Sequence, residues 1–130
     1  MNASTCDFSL ELPPVDSSVA KARHAVRKAA QTAGATEDDV ALAVSEAVGN
    51  SVVHAFRFGK QGSIYVRAET TRDSLVVVVR DDGVGMVPDL DRPGLGLGTS
   101  LISRLSKEAT FESSEDGTTV TMRFELKEKG

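Results

Sequence analysis

Hydrophobic positions recur along this chain with two periods, and the switches between them mark out its elements. From Cys6 to Leu12, Phe8, Leu10 and Leu12 alternate with Asp7, Ser9 and Glu11, the period of a strand. Pro13-Pro14 ends it, because proline cannot donate to a ladder. Val15, Val19, Ala22, Val26, Ala29, Ala30 and Ala33 then keep a helical period, with Asp16 or Ser17 placed to cap the helix and Gly34 just past its end. Lys21, Arg23, Arg27 and Lys28 make the outer surface of this helix basic.

Thr36-Glu37-Asp38-Asp39 opens a second helix, with threonine as cap and acidic residues suited to the helix dipole. Its apolar side is Val40, Val44, Ala47 and Val48, and the pattern runs to about Arg57. After a turn at 59–62, Ser63 to Thr70 and Ser74 to Arg80 read as a hairpin joined by Thr71-Arg72-Asp73. The unbroken run Val76 to Val79 predicts a strand buried on both faces. Asp81 to Leu95 is an aperiodic loop rich in Gly, Pro and Asp, long enough to suggest function. Leu97, Leu101, Ile102 and Leu105 restore helical spacing to Lys107. A last hairpin, Ala109 to Ser114 and Thr118 to Leu126, turns at Glu115-Asp116-Gly117. The order β-α-α-β-β-loop-α-β-β predicts a two-layer α/β sandwich, its sheet mixed or antiparallel with the helices on one face.

Composition narrows the setting. The 130 residues suffice for one domain, 1–130 with a core of about 6–127, and the balance of 40% hydrophobic and 26% charged residues is that of a soluble globular protein. A net charge of −4 argues against a nucleic-acid or anionic-membrane surface. Cys6 is the one cysteine, so no internal disulfide is possible. No basic region followed by an apolar run marks a signal peptide, and the longest strongly apolar run, Leu75 to Val79, is far too short to span a bilayer. A cytoplasmic location is expected.

The candidate chemistry lies in three clusters. Glu46, Asn50 and His54 recur every fourth residue, and on an α-helix each such step turns about 400°, which keeps them on one slowly drifting stripe. Such a stripe is ordinarily the wet side of an amphipathic helix, but it also suits a hydrated metal–nucleotide complex. Asn50 offers a neutral oxygen to Mg²⁺, and Glu46 could take a proton from a nucleophile. His54 either contacts phosphate or, as the preferred reading, braces the loop. In the second cluster, Asp81 closes a strand and can accept a hydrogen bond from an exocyclic amine such as adenine N6. Gly83 and Gly85 beside it let the backbone approach a flat base, although an Asp-Gly turn alone would read the same. In the third, Gly94, Gly96 and Gly98 lead with Thr99 and Ser100 into a helix N-terminus, either an anion site or a flexible loop before a capped helix. Neither the P-loop nor the dinucleotide fingerprint is present.

Taken in order, Glu46-x-x-x-Asn50-x-x-x-His54-Ala55 resembles the N box of the GHKL ATPase/kinase superfamily, and the Asp81–Gly85 and Gly94–Gly98 clusters resemble its two glycine boxes. Gly117-Thr118 is similar to the Gly-Thr whose hydroxyl sits by the adenine-binding aspartate. With Ser45-Glu46-Ala47 before the asparagine and His54-Ala55-Phe56 after it, the chain looks like the anti-sigma factor serine kinases of the RsbW/SpoIIAB type. That resemblance covers Phe8 to Leu126. It implies ATP and Mg²⁺ as cofactors, with Glu46 as general base, Asn50 as Mg²⁺ ligand, Asp81 as the reader of adenine, and Thr118 among the nucleotide-binding residues. It also implies phosphorylation of a serine or threonine on a STAS-domain anti-anti-sigma factor, sequestration of an RNA polymerase sigma factor, homodimerisation, and a partner-binding arginine best matched by Arg23. An ATP-gated binding module without useful catalysis is the alternative.

Overall fold

A computed structural model describes residues 5–55, 62–83 and 97–127. Five strands, β1 (Thr5–Leu12), β2 (Ile64–Thr70), β3 (Ser74–Asp81), β4 (Glu108–Ser114) and β5 (Gly117–Glu125), form one sheet in the order β1-β2-β3-β5-β4, with every neighbouring pair antiparallel. Three helices, α1 (Asp16–Ala33), α2 (Glu37–Asn50) and α3 (Leu97–Leu105), pack on one face of it. The result is the expected two-layer α/β sandwich, with the choice between mixed and antiparallel resolved as antiparallel.

The layers meet in a single apolar core. Ile64, Val66 and Ala68 of β2, Leu75, Val77 and Val79 of β3, and Val120, Met122 and Phe124 of β5 are buried against Ala22 and Val26 of α1, Val44 and Val48 of α2, and Ile102 of α3. Alternation sends the remaining side chains to the opposite face. There Val76 and Val78 are half-buried, so β3 is not enclosed on both sides as its valine run suggests. Cross-strand neighbours Arg67, Glu69, Thr121 and Arg123 supply what cover they have. On the same face Arg80 lies over the Tyr65 ring, 4.2 Å from its centroid.

Helix ends depart from the sequence expectations in instructive ways. Val15, with φ −130° and ψ 158°, takes the N-cap position of α1, and neither Asp16 nor Ser17 forms a capping bond. Ser18 instead donates its hydroxyl to the Pro13 carbonyl at 2.6 Å, tying the helix start to the strand it follows. Thr36 occupies the N-cap of α2 without a side-chain cap bond. The acidic first turn of α2 engages α1 through Arg27–Asp38 and Gln31–Glu37 contacts, each 2.9 Å. Gly34 ends α1 as expected, in the left-handed region at φ 93°. α3 stops at Leu105 rather than Lys107 because the Lys107 N–H is taken by the Arg123 carbonyl of β5 at 2.8 Å.

The largest departure is in the second helix. It is α-helical only to Asn50, and Ser51–Ala55 form a π-helical turn in place of the continuous helix expected to about Arg57. Wider turns of this kind are frequent at functional sites. Here the turn begins at the residue whose hydroxyl is held by β3, as described next.

Candidate functional site

The site is built where β3 ends. Its core-facing residues are Leu75, Val77, Val79 and, by the same alternation, Asp81, which places a carboxylate at the edge of the core with 3% of its surface exposed. A buried carboxylate must be satisfied by donors. Ser51 Oγ donates to Asp81 Oδ2 at 2.7 Å, and the Gly83 and Thr118 N–H groups donate to Oδ1 at 3.1 and 3.3 Å. Burial still pushes the Asp81 carboxyl above its ordinary value of 3.8. The three hydrogen bonds oppose that shift, and the neighbouring Asp82 charge adds to it. An ionised carboxylate offers about four acceptor positions. Three donors among the described residues leave room on Oδ2 for one more.

β5 holds the carboxylate from the other side. Asp81 pairs with Thr118, and Gly117 just before it has φ 138°. A Cβ at Gly117 would lie 1.9 Å from the Asp81 carbonyl oxygen, so only glycine lets the two strands approach here. The Thr118 hydroxyl meets Ser113 Oγ of β4 at 3.2 Å.

Asp81 and Thr118 open on a cleft walled by Ala47, Ile102, Phe111 and Val120, with Asn50 and Ser51 at the end of α2. The lining combines apolar walls with a few convergent polar groups, the chemistry typical of small-molecule sites.

Of the residues singled out from sequence, Asn50, Asp81 and Thr118 converge on this cleft and Gly83 lies beside it. Glu46 is half-buried one turn before Asn50 on the same side of α2, as its spacing requires. His54 falls in the π-helical turn, which breaks the four-residue register with Asn50; its side chain lies outside the described residues. Gly85, Gly94 and Gly96 also lie outside them. Gly98, Thr99 and Ser100 occupy the first turn of α3, with Ser100 exposed and the Thr99 side chain outside the described residues. Arg23 is exposed on α1 and does not line the cleft. Among the described residues no cluster of three or more His, Cys, Asp or Glu side chains is arranged to hold a metal ion. None of the described helices is long and apolar enough to cross a membrane.

Ser51 is the functional residue that pattern reading misses. It sits on the same side of α2 as the buried Val44, Ala47 and Val48, and is itself buried. A hydroxyl on an otherwise apolar side needs a partner, and that signal was available in the sequence. The apolar walls from Ile102, Phe111 and Val120 carried no such signal, because nothing in their spacing separates a cleft wall from core.

Comparison with known proteins agrees with this geometry. Residues 12–124 match the family described as the histidine kinase-like ATPase domain. An anti-sigma F factor of Clostridium novyi is 32% identical over 103 residues, which are 68% of this chain and 71% of that protein. The anti-sigma F factor of Oceanobacillus iheyensis is 27% identical over 136 residues, 92% of both chains. Among solved structures, the RsbU and RsbW domains of a Mycobacterium tuberculosis protein share the fold with a TM-score of 0.67 at 22% identity, covering 92% of this chain and 32% of that one. The histidine kinase domain of an Erythrobacter litoralis blue-light activated kinase does so with a TM-score of 0.63 at 23% identity. It covers 88% of this chain, which spans 61% of that domain's length.

Proposed function

Because the chain belongs to the histidine kinase-like ATPase domain family, we propose that it is an anti-sigma factor of the RsbW/SpoIIAB type. In this reading it binds ATP with Mg²⁺ and phosphorylates a serine or threonine of a STAS-domain anti-anti-sigma factor. The names of the curated relatives supply the anti-sigma role. The observation that carries the nucleotide is Asp81, buried, held by Ser51, Gly83 and Thr118, and left with one acceptor position toward an apolar-walled cleft. A hydrogen-bond acceptor of that kind is what a purine amine needs as partner.

The residues present also suit the metal. Asn50 offers the hard, neutral oxygen that Mg²⁺ accepts alongside phosphate oxygens and water, and the ion supplies neutralisation of phosphate charge when bound. Glu46 is the general base: its carboxylate takes the acceptor hydroxyl proton as that oxygen bonds the γ-phosphorus and ADP leaves. In this reading Gly83 and Gly85 bind the base, and Gly94, Gly96, Gly98, Thr99 and Ser100 bind the phosphates through backbone N–H groups and hydroxyls. His54 braces the loop and Arg23 contacts a protein partner. The protein acts as a single-domain cytoplasmic homodimer that alternates between the STAS protein and an RNA polymerase sigma factor.

The test is incubation with labelled ATP, Mg²⁺ and the STAS-domain proteins of the same genome, scored for phosphoserine or phosphothreonine. Transfer to one of them, lost in Glu46→Gln with ATP affinity retained, is expected. Equal transfer by wild type and Glu46→Gln would remove Glu46 from its role. Binding of ATP with no label moved would leave an ATP-gated binding module in place of a kinase.

A further inference from the structure

The crest of α2, the side turned away from the core, does not look like an ordinary solvated helix face. Val40, Ala41, Ala43, Val44, Ala47 and Val48 are buried, so the outward line of α2 runs through Leu42, Glu46 and Gly49 at helical spacing, and Val53 lies beyond it in the π-helical turn. Leu42 is 48% exposed and Val53 63% exposed, two of the four large hydrophobic side chains exposed among the described residues. They straddle Glu46. Between Glu46 and Val53 the crest drops to Gly49, where an added Cβ would meet nothing within 4 Å. Helix interiors disfavour glycine relative to alanine, and nothing in the fold's own packing demands a glycine at this position.

We infer that this crest is the docking surface for the phosphoacceptor protein, with Leu42 and Val53 gripping apolar residues on either side of the acceptor hydroxyl and Gly49 admitting its backbone. The inference rests on the kinase reading of Glu46. It commits to this occupant because of position. A hydroxyl that gives its proton to Glu46 must arrive over the middle of this crest. Neighbours one turn away on a helix surface are about 5–6 Å apart, so the chain carrying that hydroxyl must touch Leu42 and Gly49. Glu46 and the half-buried Asp39 keep the line acidic, which favours a segment whose flanks are apolar or basic and rejects an acidic one.

The test uses the full chain and each STAS-domain protein of the same genome, with Leu42→Ser, Val53→Ser and the conservative Leu42→Met. Affinity for the STAS protein is measured by calorimetry with a non-hydrolysable ATP analogue and Mg²⁺, and KM and kcat in the labelled-ATP assay. ATP affinity within twofold of wild type certifies each variant as folded. Each serine variant is expected to raise Kd and KM for the acceptor by roughly tenfold with kcat little changed, and Leu42→Met to behave as wild type. If wild type transfers label and the serine variants bind the acceptor as wild type does, the acceptor docks elsewhere while the kinase reading stands. If wild type transfers label to none of these proteins, the kinase reading fails and this inference fails with it.

Discussion

Ser51 Oγ donates to Asp81 Oδ2 at 2.7 Å, joining the first residue of the π-helical turn to the last residue of the central strand, 30 positions later in the chain. The bond satisfies a buried hydroxyl and a buried carboxylate together. It also fixes the end of α2, and therefore Asn50, against the floor of the cleft.

Ser51→Ala should remove that donor while leaving the methylene in place. A hydrogen bond to a charged buried group contributes about 2 kcal/mol, and denaturant unfolding should show a loss of that order at neutral pH. The Asp81 carboxyl should titrate higher still, because a donor favouring its charged form has gone. Carboxyl chemical shifts followed through a pH titration would read this directly. An unchanged midpoint would mean that Gly83 and Thr118 alone hold the charge.

Asp81→Asn separates stability from ligand binding. Burial raises the Asp81 pKa in the folded state, so the native protein binds that proton more tightly than the unfolded chain does. The stabilisation this gives is fully present below the ordinary value of 3.8 and is lost as pH rises through the folded pKa. The stability of wild type relative to Asp81→Asn should therefore fall with rising pH in urea unfolding from pH 4 to 7. A difference that grows with pH would contradict the assignment. ATP affinity should drop at least about tenfold in the variant, where an amide N–H₂ turned toward the cleft would meet the N–H donor of the base.

Gly117→Ala should be severe. The new Cβ would fall 1.9 Å from the Asp81 carbonyl oxygen, a backbone atom that cannot swing aside, at a φ of 138° that side chains rarely adopt. Strain at such a position and the displaced β3–β5 pairing together should cost at least about 3 kcal/mol. Thermal unfolding and ATP titration should both report it, since the Thr118 donor moves with Gly117.

Gly49→Ala should act in the opposite direction. The site is helical and open, so the variant should gain about 0.5–1 kcal/mol of stability. A denaturation midpoint at or below that of wild type would show that the surroundings of Gly49 are closer than they look.

Much of this architecture was legible as hydrophobic spacing. Phe8, Leu10 and Leu12 announced β1, and Ala22, Val26, Ala29 and Ala30 announced the buried side of α1, because one sheet face and one helix side carry nearly all the burial. What spacing could not show was set by partners distant in sequence. Val76 and Val78 read as doubly buried because a hydrophobic run says nothing about whether a second layer exists to cover it. The early end of the α-helical part of α2 depends on what β3 brings to Ser51, and the early end of α3 on what β5 brings to Lys107. In the cleft, Asn50 and Asp81 stood out because a polar group beside apolar neighbours is conspicuous. Phe111 did not, because a half-exposed aromatic on an edge strand is commonplace.

The strand order has a consequence for how the protein is made. β3 borders β5, not β4, so the strand that completes the floor beneath Asp81 is the last of the five to be synthesised. Until residues 117 and 118 are available, the carboxylate lacks one of its donors and the cleft one of its walls. The earlier strands and helices can collapse first, but they cannot complete the cleft. If the chain binds ATP as proposed, nucleotide affinity would appear only once β5 has joined the sheet.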